Sequence, residues 1–186
     1  DRDLNTLKEK LLMMAATAEQ MIRDTTRTLV EWNIDLFEPV RASEDKMDMF
    51  QRDIDEETVR LIAVHTPVAG DLRLLLMISR INAELERIGD HTVDIGFYAK
   101  TLFKGPPLKP LLDLPQMAEI MMGMLRGSLD AFSAASSDKA MSVITMDDKV
   151  DRLNDQIFRE LMTYVLADPK TITRALELVL IARSYE

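Results

Sequence analysis

The chain of 186 residues contains no cysteine and only two histidines, and this limits the kinds of catalytic and metal site that it can form. Without cysteine there are no disulfides, no thiolate zinc sites and no cysteine nucleophile. Two histidines leave little material for a Ser-His-Asp arrangement, and no glycine-rich phosphate loop follows a strand-like segment. No apolar run approaches the roughly 20 residues of a membrane span, and the first residues do not resemble a signal peptide. We therefore expect a soluble, cytoplasmic protein without a nucleophile-based active site.

Positive charge is also in short supply. The chain has 23 Lys and Arg against 32 Asp and Glu, which gives a formal net charge of −9. Its basic residues are interleaved with acidic ones, whereas a nucleic-acid surface needs a patch of Lys and Arg to neutralise phosphates. We therefore expect no nucleic-acid partner and favour cations and basic protein surfaces.

An internal duplication is the most informative feature that the sequence does contain. The acidic pentapeptide EDKMD at 44–48 returns as DDKVD at 147–151. A constant offset relates further pairs on both sides of it: Met21/Met124, Arg23/Arg126, Asp35/Asp138, Val40/Val143, Ile54/Ile157 and Glu57/Glu160. Aromatic residues make up only 5% of the chain, and Leu, Met, Ala, Glu and Arg are abundant, as in helix bundles. The sequence therefore predicts an all-α fold of two tandem three-helix bundles with six long helices.

Apolar spacing and turn residues place the predicted helices. A seam with three- and four-residue steps runs from Leu4 to Leu36, and Asn33 or Asp35 can cap a restart within it. The second helix is expected to end near His65, and Thr66-Pro67 to open a third that continues towards Phe103. The fourth helix is expected to begin at Asp113 and Pro115, the fifth at Asp138 and the sixth at Asp168-Pro169. We predict a first repeat over 1–104, a linker over 105–112 that contains the proline-rich joint, and a second repeat over 113–186. The last helix is expected to be truncated, since the chain stops where its counterpart has barely passed its midpoint.

Acidic pairs at four-residue spacing are the candidate functional residues. On a helix this spacing stacks two carboxylates on one face, as for Glu44 with Asp48 and Glu86 with Asp90. If the second and third helices pack as antiparallel neighbours, the four carboxylates face one groove. Oxygen-rich groups of this kind suit Mg²⁺, Mn²⁺ or iron. The second repeat supplies Asp147, Asp151 and Glu186, whose own partner would lie beyond the sequence, so we expect two metal sites of which one is incomplete.

Ordinary surface pairing is the alternative interpretation of these acids. One acid–acid pair on an exposed helix costs only about 0.2–0.5 kcal/mol, and Arg52, Arg80 and Arg87 are placed to neutralise such acids. The acid pairs recur at matching positions of the two repeats, and this favours an arrangement in which four carboxylates converge on one site. The coulombic repulsion between two such carboxylates about 6 Å apart is about 2–3 kcal/mol at an effective dielectric of about 20, unless a cation lies between them.

The two histidines fit ordinary helix positions better than catalysis. His65 lies at a predicted helix end, where partial positive charge complements the dipole, and His91 is expected on a solvated helix face. A ferritin-like di-iron site would need Glu three residues before a histidine, but Ile62 and Ile88 occupy those positions.

In combination, these motifs resemble the PhoU family of phosphate-uptake regulators, which are built from two three-helix repeats. The resemblance covers essentially the whole chain and is carried by the acidic turns 44–48 and 147–151, by Pro67 with 71–73, by the octapeptide ELERIGDH at 84–91 and by ARSYE at 182–186. It implies a cytoplasmic, usually dimeric, non-enzymatic regulator, peripheral to the inner membrane through its partners. Those partners would be the ATPase subunit of the high-affinity phosphate transporter and the phosphate-sensing histidine kinase.

The resemblance also implies multinuclear metal clusters, iron in particular, with zinc, manganese or magnesium as other candidates. The metal ligands carried over by position are Glu44, Asp48, Glu86, Asp90, Asp147, Asp151 and Glu186. Two other functions stay open from the residues alone. One is a carboxylate-bridged metalloenzyme, which needs an enclosed apolar pocket beside the metal. The other is a metal-free helical scaffold.

Overall fold

The protein is a bundle of six α-helices, described for residues 2–186 by a computed structural model. The helices are α1 (Arg2–Val30), α2 (Glu38–His65), α3 (Ala69–Leu102), α4 (Asp113–Ser133), α5 (Ser137–Ala167) and α6 (Ile172–Tyr185), with 3-10 turns at Ile34–Phe37 and Pro169–Thr171. The all-helical, six-helix prediction is confirmed. Within residues 2–186, no helix is both long enough and apolar enough to cross a membrane.

The connection between α2 and α3 differs from the sequence prediction. Thr66 does not open α3; it adopts a left-handed conformation with φ 43° and closes α2 by donating its backbone N–H to the carbonyl of Ile62. The next residues are extended, and α3 starts at Ala69, after Val68. The prediction was wrong because a threonine before a proline can end one helix as readily as it begins the next.

One further cap agrees with the prediction and one differs. The first helix ends at Val30, and Asn33 caps the 3-10 turn that follows by accepting a hydrogen bond from the backbone N–H of Asp35 at 3.0 Å. The fifth helix is capped by Ser136, whose side chain accepts from the Lys139 N–H at 3.3 Å, and not by Asp138. Ser136 and Asp138 are both good N-cap residues, and the sequence alone does not show which of two such neighbours caps the helix.

Two apolar cores run through the bundle, and α1 and α3 contribute to both. One core joins α1, α2 and α3 through buried residues such as Leu11, Ile54 and Ile78. The other combines the later part of α1 and α3, including Ile22 and Ile95, with α4, α5 and α6. The two repeats are therefore packed together by helices that pass from one core to the other.

Polar contacts reinforce the junction between the repeats. The hydroxyl groups of Thr26 on α1 and Tyr185 on α6 are 2.7 Å apart, and burial raises the pKa of Tyr185, so this side chain stays neutral at physiological pH. Arg126 on α4 donates to Glu19 on α1, with 2.9 Å between Nε and Oε2. The hydrogen bonds from Arg126 and Arg23 outweigh partial burial and lower the pKa of Glu19 from 4.5 to about 2.

Glu19→Gln should therefore weaken the junction in a pH-dependent way. Because the folded pKa of Glu19 lies below its unfolded value, its charge stabilises the fold above about pH 4.5, and this contribution is lost as the pH falls to about 2. We expect a loss of about 1 kcal/mol at pH 7, measured by urea unfolding, that shrinks towards zero at low pH. The control is Glu31→Gln, which removes a local pair between Glu31, the residue after α1, and the exposed Arg27 in the last turn of α1. An equal loss in the control would contradict the assignment.

Candidate metal centre

The α2 and α3 helices bring the two predicted acid pairs of the first repeat to one groove. We call Glu44 and Asp48 the α2 acid pair, and Glu86 and Asp90 the α3 acid pair. In both pairs the glutamate is half-buried and the aspartate is exposed. All four residues lie inside long helices, so the backbone fixes the direction in which each side chain leaves the groove wall.

The pKa values show that the two pairs act on each other across the groove. The pKa of Glu44 is raised by burial and then by the negative charges of Asp48 and Asp90. The pKa of Glu86 is raised by burial, by the charges of Asp90 and Asp48, and by a hydrogen bond with Asp90. Each glutamate therefore feels the aspartate of the opposite helix, as the antiparallel arrangement of α2 and α3 requires. Such mutual repulsion favours a bound cation.

A glycine allows the two helices to approach at this point. Gly89 lies beside Asp90 and is buried against Met47, which lies beside Asp48. A Cβ added to Gly89 would already lie 3.4 Å from Cγ of Met47, so any side chain larger than alanine would push α2 away from α3. The close contact between Gly89 and Met47 thus keeps the acid pairs within reach of each other.

Two of the three arginines placed to neutralise these acids have other partners. Arg87 pairs with Glu84 at 2.7 Å, and Arg52 donates to the backbone carbonyl of Asp48 at 3.2 Å rather than to its carboxylate. Among the ion pairs formed by residues 2–186, none includes a carboxylate of either acid pair. Ordinary surface pairing therefore does not account for the four acids.

The donor set of the groove fits a hard or borderline cation. Carboxylate oxygens are the ligands preferred by Mg²⁺ and Mn²⁺, and they also bind iron. In the part of the chain that the structure describes, no three Asp, Glu or His side chains are gathered tightly enough to enclose one ion as they stand. Asp48 and Asp90 are exposed, and exposed side chains change rotamer within nanoseconds, so their oxygens can turn towards a cation.

The predicted acids of the second repeat are less closely associated. Asp147 on α5 and Glu186 after α6 line the same cavity of about 390 Å³, which is walled mainly by apolar residues of α3 and α4. Asp151 is exposed one turn along α5. Glu186 accepts a hydrogen bond from the side-chain amide of Asn154. The structure thus brings Asp147 and Glu186 to one cavity and leaves Asp151 on the surface beside it.

A larger cleft of about 920 Å³ lies between α3, α5 and α6, away from the first-repeat acid pairs. Its walls include His91, whose Nδ1 is 3.8 Å from the carboxylate of Asp94, as well as Tyr98 and Arg183. His65 is the last residue of α2 and lies 3.6 Å from the carboxylate of Asp3. Within residues 2–186 neither histidine forms an ion pair with a carboxylate of the acid pairs, so the candidate centre is built from carboxylates.

Two residues that shape the centre, Gly89 and Asn82, were not predicted from the sequence. Gly89 sits inside the ELERIGDH motif, but the close approach of Met47 becomes visible only in three dimensions. Asn82 is fully buried in α3 and donates to the backbone carbonyl of Gln51 at 2.9 Å and to Asp55 at 3.0 Å. A signal was present, since Asn82 interrupts an apolar seam that includes Ile78 and Leu85 at helical spacing.

The family model described as "PhoU domain" matches this chain twice, at residues 11–99 and 114–186. The chain belongs to the PhoU family. The PhoU resemblance seen in the sequence is thereby confirmed. This family consists of regulatory proteins that are not enzymes, and the chain is a homolog of the accessory, regulatory protein of phosphate transport.

Curated PhoU proteins match along almost the whole chain. The phosphate-specific transport system accessory protein PhoU homolog of Aquifex aeolicus is 40% identical over 185 residues, which span 100% of this chain and 84% of that protein. The PhoU protein of Escherichia coli K12 is 34% identical over 184 residues, which span 99% of this chain and 76% of that protein.

Crystal structures of PhoU proteins share the fold. PhoU from Pseudomonas aeruginosa superposes with a TM-score of 0.93 at 33% identity, covering 99% of this chain and 88% of that one. The phosphate transport system regulatory protein PhoU from Streptococcus pneumoniae has a TM-score of 0.91 at 22% identity, covering 100% and 87%, and at that identity it supports the fold alone.

Proposed function

We propose that this PhoU homolog is a metal-binding adaptor that restrains phosphate uptake and phosphate-starvation signalling. It would contact the ATPase subunit of the phosphate transporter and the sensor histidine kinase of the phosphate system, on the cytoplasmic side of the membrane and as a homodimer. Residues 1–104 and 113–186 would form its two repeats around the linker 105–112. A regulator without catalytic residues has to act through the surfaces that it presents.

The observation that carries the metal-binding part is the coupling of the two acid pairs. Glu44 and Glu86 each have a raised pKa that comes in part from an aspartate on the other helix. When bound, a cation would supply positive charge that offsets this repulsion and ties α2 to α3. The α2 and α3 acid pairs would hold it in the first repeat, while Asp147, Asp151 and Glu186 would contribute to the second site.

Metal analysis of the purified protein tests this proposal. We expect bound iron, zinc or manganese that survives dialysis, and anomalous scattering at the corresponding absorption edge in the groove between Asp48 and Asp90. Glu86→Gln/Asp90→Asn should lower the affinity at least tenfold, because two of the four carboxylates are lost. The charge-matched control Asp53→Asn/Glu56→Gln removes two exposed acids of α2 outside the centre and should change the affinity less than threefold.

The same variants test the adaptor role. The immobilised wild-type protein should retain the purified transporter ATPase, and the Glu86→Gln/Asp90→Asn variant should retain less of it if the cation orders the binding surface. A wild-type protein without metal would rule out the metal-binding part and favour a plain helical scaffold. Failure to capture either the ATPase or the histidine kinase would instead rule out the adaptor part.

A further inference from the structure

Asn82 is an unusual residue in the interface between α2 and α3. It is fully buried among apolar residues of the first core, such as Leu75, Ile78 and Leu85. Its side-chain nitrogen spans the interface and donates to two acceptors on α2, the carbonyl of Gln51 and the carboxylate of Asp55. The side-chain oxygen of Asn82 is buried without a hydrogen-bond partner among the described residues.

This arrangement is unfavourable for stability alone. A buried polar atom without a partner loses its hydration and gains nothing in return, so an apolar side chain of similar branched shape, such as leucine, avoids this cost. Polar residues in otherwise apolar helix interfaces are best known for fixing the register of one helix against another, as a single buried asparagine does in coiled coils. Asn82 fits this role because its bonds close in only one alignment of the helices.

Its neighbours show why the alignment matters here. Asn82 precedes Glu86 by one helical turn on α3, and Gln51 follows Asp48 by less than one turn on α2. Ser79, one turn earlier on α3, also donates to Asp55 at 3.3 Å. The polar contacts across the interface therefore lie directly beside the facing acid pairs.

We propose that Asn82 is a positioning residue that fixes the register of α3 against α2 and so holds the two acid pairs opposite each other. The expected effect of Asn82 on metal affinity rests on the metal-binding function proposed above. The expected effect of Asn82 on helix register does not depend on that function. Sliding α3 by one turn would move its acid pair by about 5.4 Å and separate it from the α2 acid pair.

The chain itself offers a matched control. Thr58 is a buried polar residue of α2, but its hydroxyl donates to the carbonyl of Ile54 in the same helix at 2.7 Å. Thr58→Val therefore removes a buried polar group without removing a contact between helices. In α3, the buried Thr92 likewise donates to its own helix, at the carbonyl of Gly89.

Distances between spin labels test the register without any metal. Because the chain has no cysteine, Met49→Cys on α2 and Ala83→Cys on α3, both at exposed positions, give one labelled pair. We expect a single narrow distance distribution in the parent and in Thr58→Val. In Asn82→Leu the mean should move by about 3–5 Å or the width should at least double, since slippage occurs in steps of a turn or less. Unchanged distances in Asn82→Leu would overturn the proposal.

A milder variant and a metal titration complete the test. Asp55→Ala removes only the exposed carboxylate acceptor, so it should fold even if Asn82→Leu does not, and it should broaden the distribution in the same sense. Titration with Mn²⁺, followed by the loss of the free-ion paramagnetic signal, should show at least tenfold weaker binding in Asn82→Leu and no change in Thr58→Val. If the parent binds no Mn²⁺ but the distances respond as expected, the register role stands and the groove is not a manganese site. The metal-binding proposal fails if the metal analysis also finds no iron or zinc. Identical distances in the parent, Asn82→Leu and Asp55→Ala would exclude the register role whatever the metal result.

Discussion

Replacing Gly96 with alanine is expected to lower the free energy of unfolding by at least about 2 kcal/mol. A Cβ on Gly96 would lie 2.0 Å from Cζ of Phe37 and 2.2 Å from Cε1, far inside any real contact. Phe37 is buried in the 3-10 turn that precedes α2, so its ring cannot turn into solvent without opening the first core. The better helix propensity of alanine offsets only about 1 kcal/mol of this strain. Urea unfolding followed by circular dichroism measures the difference.

A second glycine of the same helix provides the control for Gly96→Ala. Gly70 lies in the first turn of α3, and a Cβ added there would meet nothing within 4 Å. Gly70→Ala should therefore leave stability unchanged or raise it by up to about 1 kcal/mol. In a Phe37→Ala background the clash is gone, so Gly96→Ala should become neutral or stabilising. A loss of the same size in both backgrounds would show that Phe37 is not the cause.

Much of the fold could be predicted because long helices leave a strong periodic pattern. The apolar seams, the duplicated acidic pentapeptide and the proline-rich joint were sufficient to predict six helices, of which α2 ends at His65 and α4 starts at Asp113. The facing of the two acid pairs also followed from sequence, since antiparallel neighbours with acids at four-residue spacing have few other arrangements. Burial raises the pKa of Glu44 and Glu86, and the negative charges of Asp48 and Asp90 raise it further, which agrees with that prediction.

Most of the rest depended on contacts between residues far apart in the chain. Sequence could place Gly96 in a helix but not against the ring of Phe37, and it could place Asn82 near the seam but not with one unpaired oxygen. The Thr66 boundary was missed for a local reason, since a threonine before a proline can end one helix as well as begin the next, and here its left-handed conformation ends α2. The role of each acid as a metal ligand remains a prediction, because ligation depends on side-chain positions in the presence of a cation.

Lys109 in the linker gives the other large expected effect. Its side chain is only 7% exposed, although it lies in the proline-rich linker between the repeats. Its ammonium group lies 2.9 Å from Asp113 at the start of α4 and also pairs with Glu160 on α5. Burial alone would lower the pKa of Lys109, but its hydrogen bonds to Glu160 and Asp113 raise it instead, so the lysine is charged at physiological pH.

Lys109→Met is expected to lower the free energy of unfolding by about 2–4 kcal/mol at pH 7, because it leaves two partly buried carboxylates facing each other without a cation. Urea unfolding of the full chain measures this loss. Adding Asp113→Asn and Glu160→Gln to Lys109→Met should restore most of the stability, since the repulsion is removed together with the pair. Arg159→Ala breaks a highly exposed pair with Asp155 on the same helix as Glu160 and should cause no measurable loss. If Lys109→Met were as stable as Arg159→Ala, the linker would not be anchored by its charge, and the packing of Leu114 and Leu161 alone would have to hold the start of α4 against α5.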